Sequence, residues 1–377
     1  VLKDLDNAQC DYFRGIPVAV TLRGQVVAAP LSQKNFFFAG IMGSGKTSMA
    51  LTLALGAILD PLVDVDVVVM AENGDFEPLR PALRSLHTGA EPDTVEAAIG
   101  LIRDRFRSLG GLGELLREQM DITAGQGREP DKFICREDAE REPRLRPRVI
   151  IIDECQNLFM SEHGVDAANI VKQLVTTARK YATTLILLTP DPTGDAVPSG
   201  VVRIMSNRAC FPIGDYIGVD ATIGTGSHKS GLTAVGLMPA DENSLNDAGT
   251  CAARGFTNPP GMLRCFYVPQ SDAHRVAKRA MQLRGGGRRL LAAAPVAEKR
   301  DLLVDVGKVI GDQTVPAADI PPLLAREFPG QVLYQQMTGK QLRKLLWDEH
   351  GVKVPTTDNK FPVSPKLITE ARTRRGD

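Results

Sequence analysis

The sequence lacks the long apolar run that a membrane-spanning helix requires. Such a helix needs about 20 mostly apolar residues, and no continuous run of that length occurs in the 377 residues. A secretory signal peptide is also missing. The chain begins at Val1 rather than at a methionine. We therefore expect that an N-terminal region precedes it, which could carry a membrane anchor. The predicted location is the cytoplasm, or the cytoplasmic face of the cell membrane in the full-length protein.

The sequence also lacks the residue spacings of a metal site, closely spaced pairs of cysteines and a net charge. The six cysteines lie far apart without a CxxC pair, and the five histidines do not cluster beside them. This excludes a structural zinc site or a disulfide framework and favours a reducing cytosol. The 45 basic residues balance the 45 acidic ones, so the net charge is zero. A surface for nucleic acid would therefore have to be local.

What the sequence does contain is a series of short apolar runs separated by helical segments. Runs of this kind are typical of strands buried on both faces of a parallel sheet. We predict an α/β fold with a doubly wound, mainly parallel sheet, in which strands alternate with helices. The predicted strands lie within 1–30 and at 35–39, 63–70, 149–152, 184–189 and 208–213. The predicted helices lie at 47–59, 92–120 and 165–181.

Composition changes divide the chain further. Residues 121–148 are polar with charges of alternating sign, so we predict a surface insertion or a mobile loop. We assign 1–272 to a large α/β domain, 273–297 to a basic linker and 298–377 to a small C-terminal domain. This last domain has three amphipathic segments followed by a hairpin at 351–365, a pattern that suits a winged helix that binds DNA. The amphipathic segments are 301–310, 320–327 and 338–349.

One motif carries the clearest chemistry. The stretch from Gly40 to Thr47 reads GIMGSGKT and fits G-x-x-x-x-G-K-[ST] at every fixed position. It follows an apolar strand and opens a helix, the context that a P-loop requires. The loop N–H groups would face phosphate oxygens, Lys46 would reach the β- and γ-phosphates, and the Thr47 hydroxyl would bind Mg²⁺. The ligand is thus predicted to be ATP with Mg²⁺. The nucleotide-binding residues are Gly40, Gly43, Ser44, Gly45, Lys46, Thr47 and Ser48.

The next polar residues follow apolar strands. Asp153 and Glu154 come directly after the strand at 149–152, the arrangement of a Walker B motif. Asp153 would help to hold the metal, and Glu154 would polarise the attacking water. Thr189 ends the next strand, where it would sense the γ-phosphate, although a hydroxyl that completes a strand explains it equally well. Arg208 and Arg203 are candidates for an arginine that reaches a neighbouring subunit, and surface salt bridges are the alternative.

A loop at 224–231 reads GTGSHKSG. Small polar side chains and a cation suit nonspecific phosphate contacts, whereas a solvated hairpin tip is the alternative. The predicted DNA contacts are Thr225, Ser227, His228 and Lys229.

Together, these motifs resemble the FtsK/SpoIIIE family of DNA-translocating ATPases over residues 12–270. The resemblance includes the stretch 15–18 before the P-loop, Asp153 and Glu154, and the segment 208–211. This chain departs from the family at two places. Where the family has a strand that ends in Thr-Gln, this chain has Thr189-Pro190. Where the family often has Asp-Pro-Lys after the second strand, this chain has the stretch 71–75. The loop at 224–231 looks most like actinobacterial conjugative transfer proteins of the TraB and TraSA kind.

This resemblance implies a RecA-like motor that assembles as a homo-hexamer around double-stranded DNA. ATP would lie between subunits, with Arg208 as the trans arginine and the loop at 224–231 facing the pore. The implied process is plasmid conjugative transfer or chromosome segregation. Two alternatives stay open: a type VII-like protein-secretion ATPase, and a nucleotide-gated DNA-binding regulator. Glu154 argues against the regulator, because a switch needs no catalytic base.

Overall fold

The structure is a computed structural model that describes residues 4–285, 301–328, 334, 337–348, 350–357 and 360–375. Two compact units are present, Val1–Leu290 and Leu291–Asp377. No helix in the described ranges is both long enough and apolar enough to cross a membrane.

The first unit is built on a ten-stranded sheet, with the strands in the order β2-β1-β10-β9-β8-β3-β7-β6-β4-β5. From β8 to β5 all neighbours are parallel, whereas β2, β1, β10 and β9 extend the sheet with antiparallel pairs that end on β8. We call these regions the parallel half and the antiparallel half. The strands are β1 (Ile16–Thr21), β2 (Val26–Ala29), β3 (Phe36–Ala39), β4 (Asp64–Val69), β5 (Ser85–Thr88), β6 (Arg148–Asp153), β7 (Thr183–Thr189), β8 (Asn207–Cys210), β9 (Thr250–Arg254) and β10 (Gly261–Cys265).

Helices cover both faces of the parallel half, which explains why β3 and β7 are buried along their whole length. The chain crosses the sheet in one direction through α1 and returns through α2, α4, α5 and α6. Right-handed crossovers in opposite directions place these two groups of helices on opposite faces. The helices are α1 (Lys46–Ile58), α2 (Pro92–Gly125), α3 (Arg136–Arg141), α4 (Gln156–Met160), α5 (Gly164–Thr177), α6 (Ser199–Ile204), α7 (Tyr216–Ile223) and α8 (Gln270–Leu283).

This architecture confirms the predicted α/β class and the mainly parallel sheet, but the predicted loop at 121–148 is wrong over much of its length. Helix α2 continues to Gly125, and α3 follows. Arg136 pairs with the carboxylates of Asp11 and Asp60 at 3.3 and 3.1 Å. The segment also buries three apolar side chains, so it is packed structure although it carries many charges. The buried side chains are Ile134, Ala139 and Leu145.

Helix α8 occupies the first part of the predicted basic linker. Its small apolar side chains pack into the core of the first unit, and they are Ala273, Val276, Ala277 and Ala280. Its basic side chains point away from that stripe. Arg284, just past the helix, donates to the carbonyl oxygens of Asp60 and Val63 at 3.2 and 3.1 Å. Residues 286–297 of the predicted linker lie outside the described residues.

The second unit is a small helical domain with one short strand pair. Its core includes Leu303, Leu324, Leu342 and Val363. The predicted hairpin at 351–365 is only partly correct: Thr357 bridges to Lys360, but the strand that follows pairs with a distant strand, β11. The elements are α9 (Leu302–Ile310), β11 (Val315–Pro316), α10 (Ile320–Glu327), α11 (Gly339–Asp348), β12 (Pro362–Val363) and α12 (Pro365–Arg375).

Candidate functional site

The loop between β3 and α1 starts at the carboxyl edge of the sheet and is fastened to both neighbouring strands. The Gly40 N–H donates to the Thr189 carbonyl at the end of β7, at 3.2 Å. The Ile41 N–H donates to the Pro212 carbonyl just beyond β8, at 3.0 Å. The loop therefore leaves the sheet between two strands, and α1 begins at Lys46.

The shape of this loop depends on Gly45, which has φ +99°. A Cβ atom there would lie 2.4 Å from the backbone nitrogen of Gly249, so no other residue fits without a shift. In the described part of the chain the Ser44 hydroxyl is buried and has no hydrogen-bond partner. The first N–H groups of α1 have no acceptor within the helix. An oxyanion in the loop would satisfy these donors, so the residues fit the phosphates of a nucleotide.

A segment that the sequence interpretation missed closes over this loop. The Ala240 N–H donates to the Gly43 carbonyl at 3.1 Å, and the Gly249 N–H donates to the Ser44 carbonyl at 2.8 Å. The Cys265 N–H at the end of β10 then donates to the Gly249 carbonyl at 2.8 Å. We call these bonds the main-chain clasp. They connect the P-loop to the antiparallel half without a recognisable side-chain signal.

Two acids meet the P-loop lysine at the end of β6. The Lys46 ammonium lies 3.6 Å from Glu154 Oε1, and the Lys46 side chain is largely buried. Asp153 is 1% exposed, and this burial raises its pKa to about 6 although Lys46 opposes the shift. The charges of Glu154 and of Asp75 add to the rise. Asp75 thus lies within electrostatic range of this cluster, in the stretch where the sequence departs from the family pattern.

Glu154 has an unusual backbone conformation for its residue type. Its φ is +57°, in the left-handed region that a residue with a Cβ rarely occupies. The Glu154 N–H donates to Asp153 Oδ1 at 3.0 Å, and the Cys155 N–H donates to the Leu188 carbonyl at 2.8 Å. These bonds hold the turn in which Asp153 and Glu154 leave the sheet. Strain of this kind concentrates at functional sites.

Gln156 joins the predicted sensor to the predicted base, and the sequence interpretation did not identify it. Its Nε2 donates to Glu154 Oε2 at 2.7 Å. Its Oε1 lies 2.9 Å from the Thr189 hydroxyl, whose one proton it shares with the Asp191 carbonyl at 2.8 Å. The structure therefore links Thr189, Gln156, Glu154 and Lys46 in one chain of contacts. The sequence gives only an indirect indication of this role for Gln156. Pro190 stands where the family pattern has a glutamine after Thr189, and Gln156 instead places an amide beside the Thr189 hydroxyl.

The donor set suits Mg²⁺ bound together with a nucleotide. Magnesium is usually held by one or two carboxylates and the substrate phosphates rather than by a cage of protein ligands. Correspondingly, the described residues contain no group of three His, Cys, Asp or Glu that could hold a metal ion alone. Thr47 and Asp153 are the residues that would hold Mg²⁺. When bound, Mg²⁺ would neutralise charge on the phosphates.

Arg208 is not part of this cluster within one chain. It lies inside β8 in register with Phe37, upstream of the strand end that adjoins the P-loop. Its neighbour on β9 is Arg254. Burial lowers the pKa of the Arg208 guanidinium, and the Arg254 charge lowers it further. Arg203, at the end of α6, is exposed.

The loop at 224–231 is fastened by hydrogen bonds rather than free. The Asp220 carboxylate accepts from the N–H groups of Gly226 and His228 at 2.8 and 3.0 Å, and these bonds lower its pKa. Ser227 is buried, and its hydroxyl donates to the Gly224 carbonyl at 2.6 Å. Of the four predicted DNA contacts, Ser227 thus points inward. The other three are half-buried or exposed: His228, Thr225 and Lys229.

A search of curated protein sequences finds no significant match. The sequence family described as "Zonular occludens toxin (Zot)" matches residues 121–225, which include Asp153, Glu154, Gln156 and Thr189.

The solved structures that resemble this chain include two with TM-scores of 0.50 or more. The first is the pCW3 conjugation coupling protein TcpA, in its monomer form with ATPγS, with a TM-score of 0.53 and 15% identity over 74% of each chain. The second is EssC (ATPases 2 and 3) from Geobacillus thermodenitrificans, with a TM-score of 0.50 and 12% identity over 74% of this chain. The match spans only 50% of the EssC chain. At these identities the likeness concerns the fold alone, a mixed α/β fold with a mainly parallel sheet.

Proposed function

We propose that this protein is an ATPase that moves double-stranded DNA, working as a homo-hexamer in plasmid conjugative transfer or chromosome segregation. The observation that carries the ATPase part is the contact chain Lys46–Glu154–Gln156–Thr189 beside the P-loop. It connects a phosphate-binding lysine, a candidate base and a γ-phosphate sensor, which are the groups that phosphoryl transfer to water requires.

The Lys46–Glu154 contact suggests how a bound nucleotide would activate the site. The Lys46 ammonium lies 3.6 Å from the Glu154 carboxylate. When Lys46 turns to the β- and γ-phosphates, Glu154 loses this counter-charge, while the hydrogen bond from Gln156 still fixes its direction. Glu154 would then be free to accept the proton of the attacking water.

Arg208 remains our candidate for the trans arginine, because a residue that serves a neighbouring subunit need not approach the nucleotide of its own chain. Thr225, His228 and Lys229 remain the candidate pore contacts, with Ser227 as a residue that shapes the loop. A hexamer would bring these groups around one axis. Analytical ultracentrifugation with ATPγS and Mg²⁺ tests the assembly.

The DNA part of the proposal is supported by the second unit. Helix α11 buries Leu342 and Leu346 and exposes Lys340 and Lys344. The order of α9, β11, α10, α11 and β12, with β12 paired to β11, suits a winged helix in which α11 meets DNA. The structural likeness to TcpA, described as a conjugation coupling protein, agrees with a role in DNA transfer.

The central experiment is the ATPase rate with and without linear double-stranded DNA across a salt series. We expect stimulation that weakens as salt rises, because counterion release drives phosphate contacts. A hexameric preparation that hydrolyses ATP without responding to DNA would instead favour the protein-secretion ATPase. Slow hydrolysis with nucleotide-dependent DNA binding would favour the regulator.

A second experiment concerns the second unit. The double variant Lys340→Ala/Lys344→Ala should reduce DNA affinity several-fold and lower the salt slope by about 2, because two phosphate contacts are lost. Lys366→Ala, on an exposed residue of α12, is the matched control. Equal DNA affinities for the double variant and the control would contradict a DNA-binding role for α11.

A further inference from the structure

A cavity of about 320 Å³ extends from the P-loop to the antiparallel half of the sheet. One end is formed by the P-loop and the first turn of α1. The other end is formed by side chains of a different character: Ala240, Leu245, Ala248, Cys265 and Tyr267, with Arg264 beside them. A ligand that fills both ends must have an anionic part and a flat or apolar part.

Two large side chains at the second end are exposed to an unusual degree. Leu245 is 73% exposed and Tyr267 is 75% exposed. An aromatic ring that covers them would remove apolar surface from water, which stabilises a complex. The Tyr267 phenol also offers a flat face for stacking, an interaction that tolerates any heterocyclic base.

Contacts of the two preceding residues fix the position of Tyr267. The Cys265 N–H donates to Gly249 within the main-chain clasp, and the Cys265 thiol lies 3.8 Å from the Gly45 carbonyl. The Phe266 N–H donates to the Val18 carbonyl at 3.0 Å. Tyr267 therefore lies two residues beyond a direct contact with the P-loop, a separation of about 7 Å in an extended chain. The sugar of a nucleotide would bridge this separation.

Arg264 supplies a positive charge to the lining of this cavity, which also includes the carboxylate of Asp75. Arg264 is exposed, and within the described residues it forms no ion pair with a carboxylate. A guanidinium in this position suits the α-phosphate of a nucleotide, because the P-loop and Lys46 take the outer phosphates.

We propose that Tyr267 and Leu245 bind the base of the nucleotide and that Arg264 binds its α-phosphate. The inference rests on the proposed function of the P-loop as a nucleotide site. It assigns the base to the antiparallel half, for which the sequence motifs give no indication. The ligand class that follows is a nucleoside triphosphate rather than a free polyphosphate.

The test compares two ligands that share their phosphates and differ in the base. Isothermal titration in the presence of Mg²⁺ would measure the dissociation constants of ATPγS and of inorganic tripolyphosphate for the full chain. Tyr267→Ala should weaken ATPγS binding about tenfold, because one stacking contact is lost, and should leave tripolyphosphate binding within twofold. Tyr267→Phe should restore ATPγS binding, since it keeps the ring. Leu22→Ala, at another exposed apolar side chain, is the control.

Three results would overturn the assignment of the base. The first is equal affinity of the wild type for the two ligands. The second is unchanged ATPγS binding in Tyr267→Ala, and the third is an equal loss of both ligands in that variant. Failure of the proposed function looks different: the wild type would bind neither ligand, or Lys46→Ala would retain ATP hydrolysis.

Discussion

The parallel and antiparallel halves of the sheet hold the same candidate ligand by different means. The parallel half contributes Lys46 at the start of α1 and the acids Asp153 and Glu154 at the end of β6, and in our proposal it contacts the reacting phosphates. The antiparallel half contributes the main-chain clasp and, in our proposal, the base contacts through Tyr267. Chemistry that depends on charge leaves motifs in a sequence, whereas support by backbone bonds and by stacking does not.

This contrast leads to a general expectation. Substitutions in the parallel half should lower kcat, because its side chains act on the transition state. Substitutions in the antiparallel half should raise KM and leave kcat nearly unchanged, because its contacts are the same in the ground state and the transition state. The following variants test this division, beginning with the largest expected effect.

Lys46→Ala should abolish measurable ATP turnover, a fall of at least about 10³, because it removes the cation that binds the outer phosphates in the transition state. It should also weaken ATPγS binding. Lys132→Ala, an exposed lysine of the same unit, controls for the loss of one charge. ATPase activity near the wild-type rate in Lys46→Ala would contradict the P-loop assignment.

Glu154→Gln should lower kcat by about 10³, since a general base contributes on the order of 10²–10⁴, while ATP still binds. Binding should not weaken, because Lys46 loses a competing carboxylate. Single-turnover hydrolysis together with ATPγS titration separates these effects, with Glu162→Gln as the control. A normal single-turnover rate would exclude Glu154 as the base.

Gln156→Ala should lower kcat about tenfold and change KM less than twofold. The variant loses a hydrogen bond to a carboxylate, and such a bond contributes about 1.5–3 kcal/mol. A purely structural role would instead lower the melting temperature and affect all steps alike. Thermal unfolding and steady-state kinetics on one preparation distinguish the two outcomes.

Gly249→Ala should raise KM for ATP about threefold and leave kcat within twofold. Gly249 has φ +86°, and a Cβ there would lie 3.1 Å from the Cys265 sulfur, so the variant strains the main-chain clasp. Gly236→Ala is a matched control, because Gly236 has the same φ of +86° with no atom within 4 Å of its Cβ position. An equal change of KM in both variants would show that the clasp has no part in nucleotide binding.

The sequence allowed the parallel half to be predicted, except for β5, because two of its requirements are visible in the residues. Strands buried on both faces need continuous apolar runs, as in β3 and at 185–188 of β7, and phosphate binding needs glycines and a lysine at fixed spacing. The predicted P-loop and the Asp153–Glu154 pair accordingly come together through Lys46.

The remaining features were missed because their causes are distant in sequence. Gln156 acquires its significance only when the fold brings it beside Thr189. The charges at 136–142 indicated a loop, yet Arg136 pairs with Asp60, 76 positions away. Strands β9 and β10 are short and carry no long apolar run, so their pairing with β8 and β1 was not evident.

The main-chain clasp also bears on how such proteins diverge. Its donors and acceptors are peptide groups, so most substitutions at Ala240 or among its neighbours would preserve the bonds. Selection at these sites would act on the length and the path of the segment rather than on residue identity. Over long divergence the segment would become unrecognisable in an alignment while its contact with the P-loop persists. Relatives of this protein are therefore better traced by superposing the P-loop and its covering segment than by comparing their residues.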